Sequence, residues 1–266
     1  MREKRFKSRT AWGCVWAAGV ALLMALAAGP AAGAEGIDPD ADKILKSMST
    51  YLGRTKAFSM NADIGFEIVT KDSQKLQLSS FATAVVQRPA KFRIQRKGMI
   101  ADAEFVFNGK TLTLFGKNLN AYAQKEVTGI IDDAIRAFEM ETGIPAPGAD
   151  LLFADPYAVL SSGVESSVYV GVAYVNGIDC HHLAFREDKV DWQLWVKTGD
   201  DPLPMKYVIT SKWMTGAPQY QISFRDWNTN PQINDEQFTF SVPNGAIRLE
   251  VIPVNEMGEL TIEEGK

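Results

Sequence analysis

The sequence predicts a mainly β protein with helical cover, an α+β fold built on one large antiparallel sheet that is strongly curved or barrel-like. Three observations carry this expectation. About a dozen segments alternate apolar and polar residues with a period of two, joined by short polar turns. One amphipathic helix precedes them. A single helix-spaced block, Gly129–Ser162, interrupts the strands near the middle of the chain.

The first 34 residues read as a signal peptide. Arg2, Lys4, Arg5, Lys7 and Arg9 form a basic start, Ala11–Ala28 an apolar run, and Ala32-Gly33-Ala34 a small-residue exit that places the cut between Ala34 and Glu35. The run is almost long enough to be a retained anchor, but Gly29-Pro30 and the small-residue exit favour cleavage. Cys14 lies at the front of the run, whereas a lipid-attachment cysteine belongs at its end, so neither a lipid nor a stable membrane anchor is expected. The expected location is the periplasm.

A helix then starts at the N-cap Asp38 with Pro39 in its first turn. Ile44, Leu45, Met48, Tyr51 and Leu52 recur at helical spacing, and Gly53 is expected to end the run. Phe58, Met60, Ala62, Ile64, Phe66 and Ile68 alternate with polar partners, the mark of a strand with one buried face. Leu76–Val86 continues the pattern. Shorter strands are expected at Lys91–Lys97, Glu104–Phe107, Thr111–Phe115 and Ala121–Val127, with Asn108-Gly109 as a type I′ turn. In the interrupting block Ile131, Ala134, Ile135 and Phe138 are helix-spaced, a Pro- and Gly-rich loop spans Thr142–Asp150, and a further turn or two of helix spans Leu151–Leu160. This block is the expected lid. Strands resume at Val164–Val175, Cys180–Arg186, Val190–Lys197, Met205–Thr210, Gln219–Trp227 and Gln237–Ser241, with a second hairpin turn at Asn176-Gly177. One domain, 35–253, is expected, followed by an acidic solvated tail, 254–266.

Charge excludes some partners. Of 28 basic and 32 acidic residues, the leader carries five and one, which leaves the mature chain at a net charge of −8. A nucleic-acid partner needs a basic stripe, and none is present. Cys180 is the sole cysteine after the leader, so no disulfide staples the fold.

Two stretches carry a family resemblance. Arg88-Pro89-Ala90-Lys91-Phe92 and Asn108-Gly109-Lys110-Thr111-Leu112 resemble segments of the LolA-like periplasmic lipoprotein carriers. Gly177–Phe185, Asp191-Trp192-Gln193-Leu194-Trp195, Asp201-Pro202-Leu203-Pro204, Pro218-Gln219-Tyr220 and Asp226-Trp227 resemble a family of predicted periplasmic proteins, domain of unknown function 2092. The second match runs through most of the mature chain. The resemblance implies a half-open antiparallel barrel with an apolar concave face plugged by helices. Arg88 sits where the carriers have an arginine that latches the helical lid. This chain is longer and has its own His- and Trp-rich C-terminal half, so carrier activity does not transfer with the fold.

The candidate ligand-binding residues are those of the apolar face, Phe58, Met60, Ile64, Phe66, Leu78 and Ile94, together with Trp192, Trp195 and Trp227. Each has core packing as its alternative role, and Arg88 has the alternative of a solvated edge arginine. Trp192 and Trp195 are three apart on a strand and face opposite ways, as do His181 and His182. Cys180 and His182 share a face but lack further Cys or His ligands, so no metal and no cofactor is expected. G-x-S-x-G, H-E-x-x-H, C-x-x-C and phosphate-binding glycine loops are all missing, and Asp132-Asp133 and Asp200-Asp201 read as helix-end and turn acids. The leading expectation is a non-enzymatic periplasmic module holding a hydrophobic small molecule, lipid or lipoprotein acyl chain in the concave face. The first alternative is a protein-interaction or envelope-stress sensor module of the same fold, with a self-filled cavity and an envelope protein as partner. A hydrolase or metal enzyme comes last.

Overall fold

The computed structural model describes residues 36–99, 101–252 and 254. The expected leader and cleavage site, and the expected acidic tail apart from Val254, lie outside the described residues. Helix α1 (Pro39–Arg54) comes first, then strands β1 (Ala57–Val69), β2 (Lys75–Gln87), β3 (Lys91–Gly98), β4 (Asp102–Phe107), β5 (Thr111–Gly116) and β6 (Ala121–Glu126). Helix α2 (Ile131–Thr142), a 3-10 turn (Ala149–Leu152) and helix α3 (Pro156–Leu160) follow. The chain returns to β7 (Ser166–Val175), β8 (Ile178–Arg186), β9 (Val190–Lys197), β10 (Pro204–Ser211) and β11 (Gln219–Asn228), and ends on the short β12 (Ile247–Leu249). All twelve strands form one open sheet in the order β12-β6-β5-β4-β3-β2-β1-β11-β10-β9-β8-β7. Every pairing is antiparallel except the edge pair β12–β6. The sheet is a half-barrel with the helices on its concave side.

The Asp38 carboxylate caps α1, accepting from the N–H groups of Asp40 (2.9 Å) and Ala41 (3.2 Å), and also from Tyr169 of β7 (3.0 Å). One carboxylate thus both ends the helix and ties it to the sheet. The helix stops one residue later than expected. Gly53 lies inside its last turn, where a Cβ would sit 2.8 Å from the Ala154 carbonyl oxygen, so the glycine permits close approach of the lid. Asn176 and Gly177 both have positive φ, 53° and 78°, as a two-residue type I′ turn requires. The expected type I′ turn at Asn108-Gly109 is replaced by an Asx turn. Only Gly109 has positive φ there, and Asn108 Oδ1 accepts from the N–H groups of Lys110 and Thr111.

The expected strand at Gln237–Ser241 is not a strand. Asp235–Phe238 is a 3-10 turn, and the segment crosses the outer face of the sheet. Phe238 is buried there, Phe240 packs on Phe115 and Tyr122, and Arg93 donates to the Gln237 carbonyl (3.0 Å). Alternation of Phe238 and Phe240 imitates a strand because one face of an extended segment is equally buried when it lies across a sheet.

Two clusters fill the concave side. Ala41, Leu45, Met48 and Leu52 of α1 pack with Leu183, Phe185, Trp192, Leu194 and Phe224. Ile131, Ala134, Ile135 and Phe138 of α2 pack with Phe58, Val86, Phe92, Phe107 and Leu112. Each helix therefore covers one half of the sheet, and the segment Ala149–Leu160 packs between them, with Leu151 and Leu160 in the α1 cluster and Leu152 and Phe153 in the α2 cluster.

Candidate functional site

Between the strands and the α2 lid lies a cavity of about 770 Å³, within the range of small-ligand sites. Strands β1–β3 and β11 form much of its floor, with Met60, Ile64, Phe66, Ile94, Ile222 and Phe224 pointing in. Three of the floor positions, Ala62, Ala82 and Ala84, are alanines on adjacent strands, with Ala62 directly opposite Ala82. Short side chains at these positions leave the room that leucines or phenylalanines would occupy. Ile135 and Phe138 of α2 and the loop Ile144–Ala149 form the roof. Gly148 has φ +84°, and a Cβ there would clash with Ile222 Cδ1, so the roof loop touches the floor at that point. Exposed lining residues Lys71 and Ser73 of the β1–β2 turn, Met214 and Thr215 of the β10–β11 turn, and Gln219 at the start of β11 mark the opening, and Pro145 and Pro147 of the roof loop are exposed as well.

Arg88 holds the roof from below. Nη1 donates to the carbonyls of Leu152 (2.6 Å) and Phe153 (2.9 Å), and Nη2 to that of Leu151 (3.3 Å). On the other side Asp132 accepts from the Ala154 N–H (2.9 Å). The segment 151–154 is thus fastened at four consecutive residues. Burial lowers the Arg88 pKa, and the charge of Asp132 acts against that. An arginine here loses hydration but gains three carbonyl acceptors in the fork geometry that lysine lacks. The neighbouring Asp133 caps α2 by accepting from the Ile130 N–H (2.9 Å). Both acids of that pair have structural work at the helix start.

The sequence-derived candidates separate into two groups. Met60, Ile64, Phe66 and Ile94 line the cavity. Phe58 lies outside the lining, fully buried against Trp227 at 5.5 Å. Leu78 is paired with Phe66 in register but stays outside the lining. Trp192 is in the core under α1, stacked on Phe185 at 3.9 Å, with its indole N–H donating to Glu187. Trp195 is on the opposite sheet face, stacked on His182 at 4.1 Å. Trp227 donates to the Pro204 carbonyl and packs between Phe58 and Phe224. None of the three tryptophans lines the cavity. Sequence reading missed Tyr220 and Arg96, although both were readable. Tyr220, Ile222 and Phe224 alternate on β11, and Arg96 follows Phe92 and Ile94 in the apolar register of β3.

The remaining reactive groups are occupied. His181 Nδ1 bonds the Tyr169 hydroxyl (3.1 Å), and His182 Nε2 bonds Gln193 Oε1 (2.9 Å). Burial pushes the Cys180 thiol up to about 11. Among the described residues no group of three or more His, Cys, Asp and Glu could hold a metal, and no helix is long and apolar enough to cross a membrane.

Beside the roof, burial raises the Asp150 carboxyl to about 6, opposed by the Tyr207 hydroxyl that donates to it (3.2 Å). The folded chain holds this proton more tightly than the unfolded chain. Stability from it is present below the unfolded value of 3.8 and is lost as pH rises through 6. Near pH 7 the ionised form costs about 3 kcal/mol. Asp150→Asn keeps an acceptor for Tyr207 and is expected to raise the melting temperature at pH 7.5 by roughly 5–10 °C, with the gain shrinking toward zero at pH 4. A gain equal at both pH values in thermal scans would contradict this assignment.

Residues 41–252 match the family model described as predicted periplasmic protein, DUF2092. The chain belongs to this family. No curated protein matches it by sequence at a significant level. Among solved structures, an uncharacterised conserved protein from Thermus thermophilus aligns over 79% of this chain and 99% of its own, at 11% identity and a TM-score of 0.49. A LolA superfamily protein from Nitrosomonas europaea aligns over 75% and 97%, at 10% identity and TM-score 0.38. The Mycobacterium tuberculosis lipoprotein LppX aligns over 74% and 100%, at 11% identity and TM-score 0.42. The description of the DUF2092 family gives a predicted compartment and leaves the ligand open.

Proposed function

We propose that this member of the family is exported by its leader, released into the periplasm, and takes an acyl chain or similar apolar molecule into the cavity under the α2 lid. The observation that carries the reading is a floor of alanines and large apolar side chains beneath a roof that does not fill it. Each methylene brought from water into such a space contributes about 0.8 kcal/mol, so a chain of several carbons binds usefully. Arg88 serves as the latch that keeps segment 151–153 over the ligand, and entry proceeds past the β1–β2 and β10–β11 turns.

Native mass spectrometry of protein purified from the periplasm is expected to reveal a co-purified apolar adduct. Added long-chain fatty acid is expected to raise the melting temperature of the stripped protein. Neither an adduct nor a thermal shift across fatty acids of different length would overturn the proposal. A second reading, a protein-interaction module, has one observation in its favour. Edge strand β7 leaves one side of its backbone unpaired by any described strand and exposes Val168, Val170, Val172 and Tyr174, the features a strand-adding partner uses. A co-purified polypeptide, with no apolar adduct, would favour it.

A further inference from the structure

Besides the exposed Lys71 at the mouth, one positive charge in the cavity lining has no counter-charge among the described residues. On β3, Phe92, Ile94 and Arg96 share the concave face, and all three line the cavity. Arg96 therefore stands where the alternation calls for a third apolar side chain. Its Nε donates to Ser80 Oγ (3.0 Å), and its guanidinium lies over the Phe66 ring at 5.4 Å. The two terminal nitrogens make no hydrogen bond among the described residues, and no carboxylate there pairs with them. Glu67 is the sole acid in the lining. It is engaged by Lys75 (3.1 Å) and by the Gln219 N–H (2.9 Å).

A second donor sits beside the first. Tyr220 is opposite Phe66 in register and stacks on it at 6.3 Å, so Phe66 touches both the guanidinium and the phenol. Tyr220 lines the cavity, and its hydroxyl has no hydrogen-bond partner among the described residues. Burial raises its pKa, with Arg96 pulling the other way, so the phenol remains a donor at neutral pH. A guanidinium and a phenol O–H near the polar mouth of a cavity whose deeper lining is apolar are complementary to an anion attached to a hydrophobic body.

We propose that the cavity ligand is an amphiphile whose anionic head group, a carboxylate or a phosphate, is bound by Arg96 and Tyr220 while its apolar portion lies along Met60, Ala84 and Ile94. This rests on the reading of the cavity as an apolar ligand site. It adds polarity and direction: the head toward the end held by Phe66 and Arg96, the tail toward α2.

The test compares palmitate, methyl palmitate, palmitoyl lysophosphatidate and inorganic phosphate at pH 8, bound to the stripped wild-type protein, Arg96→Met and Tyr220→Phe. Denaturant midpoints confirm that each variant folds. Wild type is expected to prefer an anionic amphiphile to the ester by about tenfold or more. Arg96→Met is expected to lose about tenfold to hundredfold of that affinity and to leave ester binding within about twofold. Tyr220→Phe is expected to lose a smaller part, about threefold to tenfold. A preference for lysophosphatidate over palmitate assigns the anion to a phospholipid, and the reverse preference to a fatty acid. Equal binding of acid and ester, or equal losses for both in Arg96→Met, would overturn the head-group assignment and leave the cavity reading standing. Inorganic phosphate binding as tightly as lysophosphatidate would overturn it too, because the chain would contribute nothing. Binding of no acyl compound would overturn the cavity reading and the head-group assignment together.

Discussion

Arg88→Met is expected to destabilise the protein by about 2–4 kcal/mol and to loosen the lid. The guanidinium supplies donors to three successive carbonyls, those of Leu151, Leu152 and Phe153. Removing it leaves these acceptors without their partner in a half-buried setting, at about 1–3 kcal/mol for each that water cannot reach. The loss is partly offset. Methionine keeps the aliphatic packing, and the buried Arg88 Nε has no hydrogen-bond partner even in the native protein. Arg88→Lys separates charge from geometry. An ammonium preserves the charge near Asp132 but cannot span three carbonyls in a fork, so it is expected to recover less than half of the loss. Urea unfolding of the stripped proteins gives the stability difference. Stopped-flow uptake of a fluorescent fatty acid gives the effect on the lid, which is expected to open faster in Arg88→Met. An unchanged urea midpoint together with unchanged uptake would remove Arg88 from the lid mechanism.

How far the sequence reaches can be judged residue by residue. Strands β1, β2 and β9 were legible within a residue because apolar residues recur at every second position along most of each inner face, even though Ser80 interrupts that face in β2 and Phe81, Val85 and Trp195 sit on outer faces. The cap of α1 was legible because Asp38-Pro39 is a local signal. The destination of α1 was not. Periodicity says that a helix has an apolar stripe, and nothing in it says which strands the stripe covers. That is why Trp192 read as a candidate cavity wall although α1 seals it into the core. Trp195 failed for a related reason: alternation orders faces within a strand but does not say which face is inward. The cavity itself came from absences, the alanines at 62, 82 and 84, which in sequence are unremarkable small residues and in register become adjacent gaps in one floor. The partners of Arg88 could not be read from local sequence, since the carbonyls it bonds lie more than 60 residues away.

Those alanines supply the sharpest way to tell an empty cavity from a closed core. Ala84 faces Met60 on one side and Ile94 on the other, and all three line the space. Ala84→Phe is expected to lower palmitate affinity by about tenfold or more, because the new ring occupies volume that the chain needs and forfeits the burial of two or more methylenes. The same substitution is expected to leave stability unchanged or to raise it by about 1–2 kcal/mol, since a phenylalanine placed in an unfilled apolar space is buried without displacing neighbours. If α2 and the Ile144–Ala149 loop settle onto the floor in solution, the site is instead a packed interior, and the larger side chain costs about 1–3 kcal/mol through overpacking. Titration with palmitate and urea unfolding of one variant therefore report on both questions. Weakened binding with retained stability identifies the space as a ligand site. Lost stability would show that the interior is filled by its own side chains, and the acyl-binding reading would fall with it.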